Sequence, residues 1–251
     1  MVRALTETAA GFDQGVRVDL DLSHLDGSTI AFDLDGTLVE SAPDLVATLN
    51  LLLAQEGVAA LPLRQARDMI GQGARALIAK GFAAQGRRID ELRLSQLFDR
   101  FIAHYRDHIA EESFVFPGVV EALDVLAAAG ARLVVCTNKR TDLSVALLEA
   151  LDLAKPFAAI VGPDSAAAAK PDARHLLAAI EAGGGRADRA LMVGDSASDA
   201  GAARGAGVPL ILVSFGYTPV PASELGADAL IDGFDELPAA CARLIRPHRA
   251  C

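Results

Sequence analysis

Short apolar segments recur along the chain, and each of them ends at a polar or glycine-rich turn. Each segment is too short for a helix and carries apolar residues on both of its faces, as the buried strands of parallel sheets do. The pattern predicts five strands, in the segments Thr29–Phe32, Arg132–Cys136, Ala158–Val161, Ala190–Val193 and Leu210–Val213.

Helical patterns separate the later strands. Val119, Leu123 and Leu126 recur at spacings of four and three before Gly130, which we predict to cap the end of that helix. Two further apolar stripes consist of Leu143, Leu147 and Leu151, and of Leu176, Leu177 and Ile180. The alternation of strands and helices predicts an α/β fold with a doubly wound parallel sheet and a Rossmann-like core.

The interval from Pro43 to about Ser113 shows no convincing strand pattern. Its apolar stripes predict three helices, at residues 43–56, 64–84 and 90–111. The interval contains nine acidic and nine basic residues, so the chain's net charge of −10 lies outside it. We therefore predict an all-helical cap domain at residues 43–113, inserted into an α/β core domain that comprises residues 28–42 and 114–251.

The first 27 residues have a weaker pattern, and we assign residues 1–27 to an N-terminal extension. Val16, Val18, Leu20 and Leu22 alternate with polar residues, which is typical of an edge strand. A flexible extension accounts for the same segment equally well, and both interpretations stay open.

Composition and charge narrow the range of partners. The net charge of −10 repels nucleic acids and anionic lipids, so we expect neither a nucleic-acid nor a membrane partner. An anionic substrate requires positive charge that is concentrated in the site. Three widely spaced cysteines, Cys136, Cys241 and Cys251, form no disulfide or zinc pattern and indicate a reducing compartment. No signal peptide or membrane span is evident, so we expect a cytoplasmic protein.

Two acidic residues, Asp33 and Asp35, directly follow the first predicted strand. Ligands of open α/β sheets bind at the carboxyl ends of the strands, and side chains two residues apart in an extended chain point the same way. Neighbouring carboxylates require a cation or a proton between them, and Mg²⁺ prefers oxygen ligands. Gly36 permits a tight turn that leaves N–H groups available to a phosphate. The alternative is an ordinary Asp-Gly turn.

Three other segments near strand ends carry polar groups. Thr137 and Asn138 offer a hydroxyl and an amide to a phosphate, or they cap the following helix. Lys170 is a compact positive charge suited to phosphate, or an exposed surface lysine. Asp195 completes a metal site with Asp199 one helical turn further on, or the pair caps a helix. Because four unrelated caps would have to coincide, we favour a single joint site.

The four motifs and their order along the chain resemble those of the haloacid dehalogenase-like superfamily. The resemblance covers nearly all of residues 28–235. The resemblance implies that Asp33 is the nucleophile and that Asp35 is the acid/base that protonates the leaving alcohol and then activates water. It also implies that Thr137 holds the phosphoryl group, with Asn138 beside it. Lys170 would neutralise negative charge on the nucleophile and on the phosphate.

The same resemblance implies a Mg²⁺ cofactor. Its ligands would be Asp33, the backbone carbonyl of Asp35, and Asp195, while Asp199 would support the site without contacting the metal. The second carboxylate, Asp35, favours phosphoryl transfer over dehalogenation, because an alkoxide leaving group needs a proton donor.

The predicted cap is similar to the helical cap of the first cap class, and within that class the chain resembles bacterial phosphoglycolate phosphatases. The strings that carry this likeness are Asp33–Ser41, Gly71–Arg75, Thr137–Lys139, Gly194–Asp199 and Phe215–Tyr217. The resemblance implies hydrolysis of a small phosphorylated metabolite, 2-phosphoglycolate. Gly73 and Arg75 would then contact the substrate, with Arg75 on its carboxylate; an exposed helix arginine is the alternative.

Other functions remain as alternatives. A phosphomutase of the beta-phosphoglucomutase kind shares the core motifs but carries a His-Lys pair in its cap, whereas His104 and His108 have no neighbouring lysine here. The chain could also be a phosphatase for another sugar phosphate or for a nucleotide. A non-enzymatic binding module would typically lack one of the acidic residues that this chain retains. Whether the protein is a monomer or a homodimer stays open.

Overall fold

The computed structural model describes residues 21–245. Most of the possible edge strand, namely Val16, Val18 and Leu20, lies outside these residues. Leu22 packs against the core without forming a strand, and a short 3₁₀ helix at Ser23–Leu25 buries Leu25 completely. The end of the predicted extension thus contributes to the core.

Strands occupy short segments throughout the described residues. They are β1 (Thr29–Phe32), β2 (Val39–Glu40), β3 (Phe114–Val115), β4 (Arg132–Cys136), β5 (Phe157–Val161), β6 (Ala190–Gly194), β7 (Leu210–Val213) and β8 (Ala229–Ile231). Six of them form one parallel sheet in the order β5-β4-β1-β6-β7-β8, while β2 and β3 pair antiparallel. All five predicted strands are confirmed, and two of them are one residue longer than predicted.

The central position of β1 brings the site residues together. Phe32, its last residue, is paired with Val135 of β4 on one side and with Val193 of β6 on the other. The three strands therefore end at nearly the same level. Residues that follow them converge at one edge of the sheet, as the doubly wound prediction requires.

Helices cover both faces of the sheet. They are α1 (Ala42–Gln55), α2 (Leu63–Arg67), α3 (Ala74–Ala84), α4 (Glu91–Asp107), α5 (Val119–Ala128), α6 (Thr141–Ala150), α7 (Ala173–Ala182), α8 (Ala197–Ala206) and α9 (Leu237–Leu244). Helices α5, α6 and α9 pack in one apolar cluster with the sheet, and α7 and α8 in another. Within residues 21–245, no helix has both the length and the apolar character needed to cross a membrane.

The four helices α1–α4 form a helical unit around an apolar cluster that includes Leu49, Phe82 and Phe101 and extends to Leu143 of α6 and to Tyr217. The prediction of one helix at 64–84 is wrong, because α2 and α3 are separate helices. Gly71 and Gly73 between them have φ values of +99° and +81°, which a right-handed helix cannot contain. The domain boundaries proposed from the sequence stay a prediction.

The chain enters and leaves this helical unit at adjacent points. Strands β2 and β3 pair so that Glu40 lies opposite Phe114. The buried carboxylate of Asp44, in the first turn of α1, accepts hydrogen bonds from the backbone N–H groups of Glu112 and Ser113 and from the hydroxyl of Ser113. These bonds tie the outgoing segment to the returning one.

Candidate active site

The two carboxylates after β1 are both buried, but each faces a different cation. The N–H of Asp33 donates to the carbonyl of Val193 at 2.9 Å, so the backbone still follows the sheet, and Asp33 Oδ1 lies 2.8 Å from Lys170 Nζ. Asp35 accepts from Ser41 Oγ at 2.5 Å and from Lys139 Nζ at 3.0 Å. These separate environments suit separate chemical roles.

Lys170 is buried between two carboxylates. Its Nζ donates to Asp199 Oδ1 at 2.7 Å as well as contacting Asp33. Burial alone would lower the pKa of Lys170, but the charges of Asp199 and Asp33 outweigh burial and raise that pKa. The interpretation of Lys170 as an exposed surface lysine is wrong.

The backbone of Lys170 is held by two side chains. Its N–H donates to Asn138 Oδ1 at 2.9 Å and to His175 Nδ1 at 3.1 Å. Burial, together with the charge of Lys170, lowers the pKa of His175 to about 4, so this histidine is neutral at pH 7. We did not predict His175; it lies on α7, five residues after Lys170, where its ring reaches back to the lysine.

Asn138 connects the core to the helical unit. Its Nδ2 donates to the carbonyl of Gly71, and also to that of Lys170, both at 3.0 Å. A Cβ on Gly73 would lie 3.2 Å from the Asn138 carbonyl, so this loop approaches closely. Helix α6 starts only at Thr141, with Arg140 at its N-cap, so the interpretation of Thr137 and Asn138 as its cap is wrong. Their contact with substrate stays a prediction.

Asp195 and Asp199 follow β6 and begin α8. Asp199 Oδ2 accepts from the N–H and hydroxyl of Ser196, which forms a capping box, while its Oδ1 binds Lys170. The interpretation of Asp199 as a helix cap is therefore confirmed, and its place in a metal site stays a prediction. Asp195 Oδ2 accepts from the N–H of Tyr217 at 2.5 Å, and a Cβ on Gly216 would lie only 2.1 Å from its Cβ. A side chain at position 216 would displace Asp195.

Three carboxylates form a group that fits a divalent cation. Asp33, Asp195 and Asp199 each offer one oxygen within 4.8 Å of the others. Burial raises the pKa of Asp33 to about 6 against the charge of Lys170, and burial with the neighbouring carboxylates raises the pKa of Asp195 well above its usual value. The group is thus short of positive charge, and its all-oxygen donors suit Mg²⁺. The carboxylate of Asp35 is not in this group.

Lys139, like Lys170, is a buried lysine that pairs with a carboxylate of the site. Its buried Nζ donates to Asp35 and, at 2.9 Å, to the hydroxyl of Tyr105, which belongs to α4. Burial alone would lower the pKa of Lys139, but Asp35 and Tyr105 outweigh burial and raise that pKa. Lys139 was not predicted as a site residue, although it lies in the string Thr137–Lys139. A lysine two residues after Thr137 was the available signal.

A further contact between the helical unit and the core involves Tyr217, the residue whose N–H binds Asp195. The Tyr217 hydroxyl donates to Glu40 at 2.6 Å and accepts from the N–H groups of Ser41 and Ala42. Arg67 of α2 pairs with Glu40 at 2.7 Å, and its guanidinium carbon lies 4.7 Å from the centre of the Tyr217 ring. Glu40 and Tyr217 both lie in strings that carry the family resemblance, but their contact with each other and with Arg67 was not predicted.

A cleft of about 290 Å³ lies between the core and the helical unit. The polar residues that line it include Asp33, Asp35, Thr137, Asn138 and Lys139. The apolar residues that line it include Leu45, Ile70, Leu77, Phe98, Phe101 and Leu143. Gly73 and Arg75 also line the cleft. Arg75, however, forms an ion pair with Glu91 and lies 5.5 Å from the centre of the Phe98 ring. Its contact with a substrate stays a prediction.

Comparison with known proteins identifies relatives along most of the chain. The family model described as haloacid dehalogenase-like hydrolase matches residues 30–213. A phosphoglycolate phosphatase of Caulobacter vibrioides is 56% identical over 89% of this chain and 94% of that protein. A phosphoglycolate phosphatase of Agrobacterium fabrum is 49% identical over 82% of this chain and 88% of that protein.

Solved structures show the same architecture. A predicted phosphoglycolate phosphatase from Haemophilus somnus matches with a TM-score of 0.79 at 27% identity, over 86% of this chain and 98% of that chain. CbbY from Rhodobacter sphaeroides, in complex with phosphate, matches with a TM-score of 0.74 at 27% identity, over 86% and 99%. On the strength of the family match and of these relatives, the chain belongs to the haloacid dehalogenase-like hydrolases.

Proposed function

We propose that this protein is a Mg²⁺-dependent phosphatase that hydrolyses 2-phosphoglycolate through a phospho-aspartate at Asp33. One observation carries the proposal: the buried carboxylate of Asp33 lies at the tip of β1, paired with Lys170 and grouped with Asp195 and Asp199. The relatives named phosphoglycolate phosphatase, at up to 56% identity, support the choice of substrate.

The first half of the reaction transfers the phosphoryl group to Asp33. A carboxylate oxygen of Asp33, ionised above its pKa of about 6, attacks the phosphorus while the ester P–O bond breaks. Lys170 offsets negative charge on Asp33 and on the phosphoryl group, and the Thr137 hydroxyl donates a hydrogen bond to a phosphoryl oxygen. Asp35 takes up a proton from solvent before this step and gives it to the departing alkoxide.

The second half releases phosphate. Asp35, now ionised, accepts a proton from a water molecule whose oxygen attacks the phosphorus, and the bond between Asp33 and phosphorus breaks. The products are the alcohol and inorganic phosphate, and Asp33 returns to its carboxylate form. Asp33, Asp195 and the Asp35 carbonyl would hold Mg²⁺, which when bound supplies positive charge to the phosphoryl oxygens.

Replacement of the nucleophile tests this proposal. We expect Asp33→Asn to reduce Mg²⁺-dependent phosphate release from 2-phosphoglycolate by at least about 1,000-fold, because an amide cannot form the covalent intermediate. Asp172→Asn is the control, since this carboxylate caps α7 and is partly exposed, and asparagine retains the cap. An active Asp33→Asn enzyme would refute the nucleophile assignment.

A panel of phosphorylated metabolites tests the substrate. We expect the highest kcat/KM for 2-phosphoglycolate, with lower values for sugar phosphates and nucleotides. A preference for one of the latter classes would defeat the choice of substrate while leaving the phosphatase reaction intact. Formation of an isomer without phosphate release would instead support the phosphomutase alternative.

A further inference from the structure

Three cationic side chains besides Lys170 belong to the cleft region within the described residues. Arg75 pairs with Glu91, and Arg140 pairs with Asp142, which it shares with Arg106, so each of these guanidinium groups has a carboxylate partner. Both arginine side chains are 41% exposed, whereas that of Lys139 is 5% exposed. Of the three, Lys139 is the cation whose charge is shielded from solvent.

Lys139 also lies where the second anionic group of a small substrate would be. Its Nζ is 3.0 Å from Oδ1 of Asp35, the residue proposed to protonate the ester oxygen. In 2-phosphoglycolate one methylene separates that ester oxygen from the carboxylate carbon. A substrate that places its ester oxygen at Asp35 therefore brings its carboxylate within reach of Lys139 when the short chain turns toward that side of the cleft.

The ammonium group has the capacity for this contact. A lysine ammonium carries three N–H donors. Among the described contacts, one donor is shared by the two oxygens of Asp35, at 3.0 and 3.3 Å, and one goes to the Tyr105 hydroxyl. The third is available to a ligand. The apolar side chains of Leu45, Phe101 and Leu143 line the same cleft, which keeps water away and strengthens a charged contact.

We infer that Lys139 binds the carboxylate of the substrate and thereby selects phosphomonoesters of short hydroxy acids over neutral phosphomonoesters. The inference rests on the proposed phosphatase function and assigns to Lys139 the role that the sequence suggested for Arg75. Tyr105 positions Lys139 from α4, through its hydroxyl and through its ring, whose centre is 4.4 Å from Nζ.

A matched pair of substrates tests the inference. The amide of 2-phosphoglycolate keeps the shape and the phosphate of the acid but lacks its carboxylate charge. With Mg²⁺ present, we expect Lys139→Met to lower the ratio of kcat/KM for the acid to that for the amide by roughly 10- to 100-fold, as for one lost charge-assisted hydrogen bond. A residue that only positions Asp35 would lower both values together and leave the ratio unchanged.

Two arginine variants complete the kinetic test. Arg140→Met removes a cation at the rim of the same cleft, and we expect the ratio to change by less than about threefold, as for a solvent-exposed ion pair. Arg75→Met examines the rival residue. A large fall of the ratio in Arg75→Met, with an unchanged ratio in Lys139→Met, would overturn the inference.

A binding experiment covers the case in which Lys139→Met fails to fold because Asp35 is left buried without its partner. The double variant Asp35→Asn/Lys139→Met removes both charges of the pair, and Asp35→Asn alone is its reference. By calorimetry with Mg²⁺, we expect the double variant to bind 2-phosphoglycolate roughly 10-fold or more weakly than the reference, and to bind the amide equally well. Equal affinities for the acid would overturn the inference.

The wild-type enzyme separates failure of the inference from failure of the proposed function. If the wild type prefers the acid but the ratio survives in Lys139→Met, the inference is wrong and the proposed function stands. If the wild type releases phosphate from neither compound, the proposed substrate and the inference are both refuted.

Discussion

The buried carboxyl of Asp33 links catalysis to stability. Burial raises its pKa from 3.8 to about 6, so the folded protein binds a proton there more tightly than the unfolded chain does. The stabilisation from this group is fully present below about pH 4 and is lost as the pH rises through about 6. At neutral pH, the folded protein without a cation therefore carries an unfavourable charge at the position where the proposed reaction needs it.

This linkage predicts the stability of Asp33→Asn. In the presence of a chelator at pH 8, we expect the variant to have a free energy of unfolding roughly 1–3 kcal/mol higher than that of the wild type, because the amide has no charge to bury. The difference should disappear as the pH falls from 6 to 4. Urea unfolding at a series of pH values measures it, and a difference independent of pH would contradict the assigned titration.

Gly216 packs directly against Asp195, so its replacement should disturb the proposed metal site. A Cβ at position 216 would lie 2.1 Å from the Asp195 Cβ, so Gly216→Ala must displace this carboxylate. We expect the Mg²⁺ concentration required for half-maximal activity to rise about 10-fold or more, as when the support of a metal ligand is disturbed. Gly207→Ala is the control: at the end of α8 it strains a backbone with a φ of +65°, but its Cβ would meet no neighbour, so it destabilises the fold without displacing Asp195. An unchanged Mg²⁺ requirement would argue against Asp195 as a ligand.

At the scale of elements, the connection between core and helical unit depends on Asp44. Asp44→Ala would leave two backbone N–H groups and one hydroxyl without their buried acceptor. We expect a loss of about 2–4 kcal/mol in the free energy of unfolding, against about 1 kcal/mol for Ser113→Ala, which removes one of these bonds. Urea unfolding of both variants gives the comparison, and equal losses would show that the backbone bonds contribute little.

The elements also show what the sequence can and cannot predict. Strands β1, β4, β6 and β7 are almost entirely buried, so their apolar segments were evident. The edge strand β8 has three residues, of which only Ile231 is buried, and it was not predicted. Strands β2 and β3 have two residues each, too few for a pattern. The helical pattern continued past Gly71 and Gly73, and the interruption follows from their positive φ values, which are set by the approach of this loop to Asn138.

The candidate site likewise contains residues whose convergence the sequence predicts and contacts that it does not predict. Asp33, Thr137 and Asp195 follow neighbouring strands, so the parallel sheet itself predicts that they converge. The contact of Lys139 with Asp35 spans 104 positions, and the contact of Tyr217 with Glu40 spans 177. Such pairs depend on how loops and helix faces are oriented after folding, which local spacing does not encode.

At the scale of the whole molecule, the rates at which two buried cysteines react measure whether both sides of the sheet unfold together. Cys136 in β4 and Cys241 in α9 belong to apolar clusters on opposite sides of the sheet, and burial raises the pKa of each thiol to about 12. At pH 8 we expect a thiol reagent to modify both only upon global unfolding, and at the same rate. Peptide mapping identifies each site; fast labelling of either cysteine in the folded protein would contradict this expectation.

The pairing of β2 with β3 affects how the helical unit could be exchanged between related proteins during evolution. Glu40 lies opposite Phe114, so the chain segment between them begins and ends at one pair of short strands. Exchange of that segment between related genes would leave the order of the sheet untouched, but it would have to preserve the contacts of Arg67, Gly71 and Tyr105 with the rest of the chain. Because the substrate selection that we infer depends on Lys139 of the core and on Tyr105 of α4 together, such an exchange would have to keep these two residues matched.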